Sequence, residues 1–133
     1  MANATDQAVD TYIRMASERD PDARARMIEA CWAEDGRLVA HGGGVLRGRD
    51  AMLAMFARVA ADPSIARVRV LARDVRGTTF RFRYATDRID GTSTEGFDAG
   101  EVDATGRISL LLAFTGTLVD GAGLEGEISR SST

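Results

Sequence analysis

Three side chains in this sequence have the types and settings that proton chemistry requires: Asp98, Tyr12 and His41. Asp98 lies in G-F-D-A-G-E, opposite the alternating run T-F-R-F-R-Y, with the hairpin signal Asp90-Gly91 between them. If that hairpin closes tightly, Phe80, Phe82, Tyr84, Gly100 and Val102 share a face with Asp98. A carboxyl group among such neighbours has a raised pKa, because burial penalises the charged form. It could then donate a hydrogen bond to a substrate carbonyl or act as a general acid. The other reading of Asp98 is a carboxylate capping a bulge or paired with Arg83, which a one-residue register slip would place beside it. Tyr12 sits on the apolar stripe of the first helix, where it reads either as a half-buried core tyrosine or as a hydrogen-bond donor in a site shared with Asp98. His41, the single histidine, is the one side chain whose ordinary pKa is near neutrality, and so a candidate base. Strand alternation points it away from Leu38 and Ala40, although the glycines that follow could bulge and re-aim it.

These residues need elements to hold them. Val9, Tyr12, Ile13 and Ala16 mark a helix starting at Thr5 or Asp6 and running to about Glu18. Asp20-Pro21 caps a second helix that carries Ala23, Met27, Ala30 and Cys31 and ends near Trp32. Glu34 and Asp35 read as turn residues, and Gly36 as a helix exit. Arg37 to His41 is a short strand, Val45 to Arg47 its return. A third helix from Arg49-Asp50 bears Met52, Met55, Phe56 and Val59 and stops at Asp62-Pro63. Strands follow at Ala66–Arg76, Thr79–Ile89, Thr94–Val102 and Arg107–Leu118, the last being the most apolar and expected to be central. Helices first and antiparallel strands afterwards make an α+β domain over residues 1–119, with a glycine- and serine-rich tail, 120–133, expected to fray.

Composition excludes several function classes. With 44% hydrophobic and 28% charged residues, the 133-residue chain reads as one folded domain. All 17 basic residues are arginine, but they are scattered among acidic ones and the net charge is -3, so no nucleic-acid surface is expected. No run approaches the roughly 20 apolar residues of a membrane span, and the N-terminus does not read as a signal peptide. A single cysteine, Cys31, leaves a reducing cytoplasm as the expected compartment. One histidine, one cysteine and no spaced carboxylate cluster speak against a bound metal. The triplet Gly42–Gly44 has the spacing of neither a dinucleotide nor a phosphate loop.

The segments W-A-E-D-G-R-L-V, G-R-D-A and G-F-D-A-G-E-V-D-A-T-G-R-I, in this setting, resemble the nuclear-transport-factor-2-like superfamily, and within it the SnoaL-like group related to polyketide cyclases and ketosteroid isomerases. The resemblance runs from Tyr12 to about Leu118. It implies a cone: three N-terminal helices packed in a curved, mainly antiparallel sheet around a pocket. Such pockets host isomerases, dehydratases, cyclases, epoxide hydrolases and non-catalytic binders, so fold alone does not choose among them. Ketosteroid isomerases pair a helix tyrosine with a protonated strand aspartic acid as an oxyanion hole and use a second aspartate as base. The resemblance places Tyr12 and Asp98 in the first two roles. At the base position stands Ala40.

Two readings follow. One is a pocket for a small hydrophobic, carbonyl-bearing molecule, with cofactor-free isomerisation, cyclisation or dehydration. The other is a binding or dimerisation module that lacks the base. The expected pocket lining is Trp32, Leu38, Ala40, Phe56, Phe80, Phe82, Tyr84, Leu112 and Phe114. Arg81, Arg83 and Glu101 belong to the outer sheet face, through which the resemblance implies a homodimer.

Overall fold

The computed structural model describes residues 3–116. The expectation for residues 120–133 lies outside them. The element order is α1 (Ala4–Met15), α2 (Pro21–Cys31), β1 (Trp32–Ala40), β2 (Val45–Arg47), α3 (Arg49–Ala61), β3 (Ile65–Arg76), β4 (Thr79–Arg88), β5 (Ser93–Val102) and β6 (Ile108–Thr115).

Local chemistry accounts for the helix ends. Asn3, rather than Thr5 or Asp6, caps α1 by accepting from the Asp6 N–H at 2.8 Å. Asp20 caps α2 with Pro21 in its first turn, as the sequence suggests. Gly48, at φ 86°, turns the chain into α3, and Asp62 ends it.

The strands form one six-stranded sheet in the order β2-β1-β6-β5-β4-β3. Four of its pairings are antiparallel; β1 and β6 run parallel, so the sheet is mixed. This makes β6 an interior strand, as its apolarity predicts. Register shifts interrupt β1–β6, β3–β4 and β5–β6, and such bulges bend the strands that carry them.

The sequence reading fails between α2 and β1. No turn separates them: Trp32 is already extended, at φ -115° and ψ 129°, and β1 continues through Glu34, Asp35 and Gly36. The strand pattern is hidden because the register against β6 slips between Trp32 and Arg37. Gly36 is needed there for close approach. A Cβ on it would stand 2.6 Å from Trp32 Nε1 and 2.8 Å from the Ile108 carbonyl oxygen. Two arginines fasten this junction from outside. Arg49 Nε donates to the Trp32 carbonyl at 2.9 Å, and Arg107 Nε to the Glu29 carbonyl at 2.8 Å.

The core fills the space between the helices and one face of the sheet. Val9 and Met15 of α1, Ile28 and Cys31 of α2 and Met52 and Phe56 of α3 pack there with Trp32, Ile108 and Leu111, all fully or nearly fully buried. Tyr12 is its aromatic hub. Its ring stacks on Trp32 at 5.8 Å, meets Phe56 edge-on at 5.4 Å and lies 6.2 Å from Phe82. Arg73 of β3 pairs with Asp6 and Asp10, tying α1 across the sheet.

Candidate functional site

The hairpin of β4 and β5 builds the site. Gly91, at φ 90°, takes the turn conformation that a side chain would strain, and the Asp90 carboxylate accepts from the Thr92 N–H at 2.9 Å. The turn sets the pairs Phe80↔Gly100, Phe82↔Asp98 and Tyr84↔Gly96. Asp98 therefore faces inward with the three aromatic rings. Arg83 pairs instead with Phe97 on the opposite face, 3.9 Å from Glu95. The ion-pair reading of Asp98 is thereby excluded.

Two glycines flank Asp98 for a steric reason. A Cβ on Gly96 would lie 2.2 Å from Tyr84 Cζ, and one on Gly100 would lie 2.8 Å from Phe80 Cζ and 2.2 Å from the Leu110 carbonyl oxygen. Both rings thus lie across bare backbone, leaving the Asp98 carboxyl between them. G-x-D-x-G is a seat for two rings and one acid.

Asp98 is 4% exposed, and its Oδ1 is buried without a hydrogen-bond partner. Burial pushes its carboxyl up to about 7. Burial, and then the Asp98 charge nearby, also raise the Tyr84 phenol to about 12 and the Tyr12 phenol well above its usual value. Both phenols therefore stay protonated donors at neutral pH. An unpartnered buried acid is costly in a finished core. Here it faces a void.

That void is a cavity of about 190 Å³ between α1, α3 and strands β3 to β5. Asp98, Tyr12 and Tyr84 line it together with Phe56, Phe82 and Thr86, and the remaining wall is aliphatic. Several lining residues carry helix or strand patterning in the sequence without any sign of a pocket: Ile13 of α1 and Ala16 at its C-cap, Met55 and Val59 of α3, and Val68 and Val70 of β3; Ile65, which also lines it, precedes the strand start the sequence suggests. Their signal was the apolar stripe itself, which marks an inward face but not whether that face meets packing or space.

Other candidates fall elsewhere. His41 lies on the opposite side of the sheet, its ring 5.9 Å from Phe114 and its Nδ1 accepting from the Thr115 N–H at 3.2 Å. No bulge re-aims it, and it cannot reach the cavity as a base. Leu112 and Phe114 also face outward, 36% and 46% exposed, because they pair with Ala99 and Phe97 rather than with Gly100 and Asp98. Trp32 and Leu38 are core residues beside the cavity rather than its wall, since β1 is covered by α2 and α3, and Phe80 of β4 packs in the same core outside the cavity lining. Ala40 shares their sheet face and supplies no carboxylate. Among the described residues no group of three or more His, Cys, Asp or Glu side chains is placed to hold a metal ion. No helix among them is long and apolar enough to cross a membrane.

Larger depressions, of about 620 and 670 Å³, lie across the opposite sheet face between arginines, acids and exposed Phe114 or Leu112. They hold no buried unpartnered polar side chain. The smaller cavity does, and it is the candidate site.

No family model matches the sequence, and no curated protein matches it. Solved structures do. A candidate isomerase of the SnoaL-like family from Agrobacterium tumefaciens superposes with a TM-score of 0.74 at 22% identity, over 86% of this chain and 98% of that one. An NTF2-like protein of unknown function from Burkholderia xenovorans does so at 0.67 and 14% identity, covering 93% and 91% of the two chains. The fold is NTF2-like. A candidate ketosteroid isomerase from Kribbella flavida has the same NTF2-like architecture, at a TM-score of 0.70, 19% identity and 88% and 81% coverage. Identities this low carry the fold and leave the chemistry of the pocket to its own residues.

Proposed function

We propose that this NTF2-like domain binds a small hydrophobic, carbonyl-bearing molecule, with Asp98 and Tyr12 as its polar anchors. The observation that carries this reading is the buried Asp98 Oδ1, unpartnered and facing an apolar cavity that Tyr12 and Tyr84 also line. A carbonyl oxygen placed there accepts from the neutral carboxylic acid and gives the buried acid the partner it lacks. A hydrogen bond at that oxygen draws electrons from the carbonyl and acidifies the adjacent C–H. With its pKa near neutrality, Asp98 is a suitable donor or acceptor of the proton. Isomerisation, cyclisation or dehydration without a cofactor are the reactions this permits.

A specific observation favours the second reading, a binder without catalysis. Among the described residues Asp98 is the only carboxylate lining the cavity, and the position where the resemblance to ketosteroid isomerases puts a base holds Ala40. Binding and turnover therefore need separate assays. In a titration with para-substituted phenols and cyclic enones, Asp98→Ala is expected to weaken affinity about tenfold or more, the size of a lost hydrogen bond to an acid. Unchanged affinity would remove the anchoring role. Enone isomerisation that persists in Asp98→Asn would remove the catalytic role and leave binding standing.

The outer sheet face is proposed to pair with a second copy of the chain. Support comes from exposed Leu112 and Phe114, set among Arg81, Arg83, Glu95 and Glu101. Apolar groups rimmed by charges of both signs can match themselves across a two-fold axis. Sedimentation at micromolar concentration should give twice the monomer mass, and Phe114→Asp should return the monomer. A monomeric wild-type protein would rule the dimer out.

A further inference from the structure

The cavity also constrains the shape of its ligand, and this inference rests on the carbonyl-binding reading above. Its volume is about 190 Å³. An engineered cavity of roughly 150 Å³ takes one benzene, whereas drug-sized ligands occupy sites of roughly 300–1,000 Å³. One six-membered ring with its carbonyl fills the space between Tyr12, Tyr84 and Asp98. A fused ring system needs more than this volume.

The cavity is not sealed. A second void of about 230 Å³ adjoins it, and Ala16, Val59, Ile65 and Val68 line both. These four residues form a collar between the end of α1, the last turns of α3 and the start of β3. Beyond the collar the outer void is bordered by Ser17, Glu18, Arg19 and Arg67. Asp98 stands on β5, two strands away from β3 and hence from the collar. A ligand anchored by its carbonyl therefore points its opposite end back through the collar to the surface.

We infer that this site takes a monocyclic carbonyl compound, entered carbonyl first, whose only permitted extension is a thin unbranched chain opposite the carbonyl, passing the Ala16–Val59–Val68 collar. Ala16 is then a specificity-determining residue. Its methyl group leaves the passage open, and three more carbons at that position would fill it.

The test is a binding series followed by calorimetry and by amide chemical shifts: cyclohexenone, para-butylcyclohexenone and a fused tricyclic enone, against wild type, Ala16→Leu and Asp98→Ala. The wild type is expected to bind the butyl compound more tightly than the bare ring and the tricycle at least about tenfold more weakly than either. Ala16→Leu should weaken the butyl compound about tenfold relative to the bare ring. Tricycle binding as tight as that of the single ring, yet lost in Asp98→Ala, would overturn the shape inference and leave the anchor intact. Ring binding unaffected by Asp98→Ala would overturn the anchor instead. No binding by any member would overturn both. A tail preference unchanged in Ala16→Leu would overturn the exit through the collar.

Discussion

Asp98→Asn is expected to abolish a fall in stability that the wild-type protein undergoes between about pH 4 and pH 7. The folded-state pKa of Asp98 is raised from 3.8 to about 7 by burial. Below the unfolded-state pKa the group is protonated in both states and costs nothing. As pH rises, the unfolded chain releases the proton while the folded protein holds it, so the unfolded state is increasingly favoured. Above pH 7 the loss is complete, and it amounts to something on the order of 4 kcal/mol. Carboxylates of the opposite kind act in a different window. Hydrogen bonds from Arg69, Arg67 and Ser93 hold Asp87 below its ordinary pKa, and those from Ser64 and Thr92 do so for Asp62 and Asp90. Their stabilisation is present above the unfolded carboxylate pKa and is lost only as pH falls further. Urea unfolding midpoints for wild type and Asp98→Asn across this range give the comparison. Parallel profiles would show that Asp98 is not a buried acid. The same linkage ties stability to function, because a ligand carbonyl that prefers the protonated carboxyl should bind more weakly above pH 7.

Gly100→Ala is the second large effect. Its new methyl group would be 2.2 Å from the Leu110 carbonyl oxygen and 2.8 Å from the Phe80 ring. The first obstacle is backbone of the neighbouring β6, which cannot turn aside as a side chain can. The β5–β6 register must give way beside its existing shift at Glu101 and Val102. A loss of about 3 kcal/mol is expected, at the upper end for overpacking. Gly96→Ala differs in kind. Its nearest obstacles are atoms of the Tyr84 side chain, at 2.2 Å and beyond, and a ring can rotate away. Its stability loss should be smaller and its ligand affinity lower, since Tyr84 would leave the cavity wall. Thermal melts set beside phenol titrations for both variants separate these outcomes. Equal stability losses would mean that β6 yields as readily as a side chain.

The sequence by itself determined the features whose causes are local. Asp-Pro steps and apolar stripes placed the three helices, and period-two alternation, the Asp90-Gly91 hairpin signal and one apolar run placed the four later strands. The α+β order followed. The Asp90-Gly91 turn offered two registers one residue apart, one with Asp98 among the aromatic rings and one with Asp98 beside Arg83, and the structure pairs Phe82 with Asp98. Asp98 was legible as a candidate from its hairpin, and Tyr12 from the apolar stripe of the first helix.

Only the tertiary structure decided what depends on partners far away in the chain. The run I-S-L-L-L-A-F-T is apolar on both faces, so alternation could not say which residues turn inward. Pairing with β5 and, in parallel, with β1 turned Leu111 in and Leu112 and Phe114 out. Trp32 was hidden as a strand start because a slipped register removes the two-residue period that would reveal it. The outward side of His41 follows from strand alternation in the sequence, whereas its hydrogen-bond partner, Thr115 of β6, comes from the far end of the chain. The cavity is the most tertiary feature of all. A stripe of apolar residues records which side chains leave water, and only the spacing of α1 and α3 above β3 to β5 leaves about 190 Å³ unfilled in front of Asp98. The acid is written in the sequence. The space it faces is made by packing.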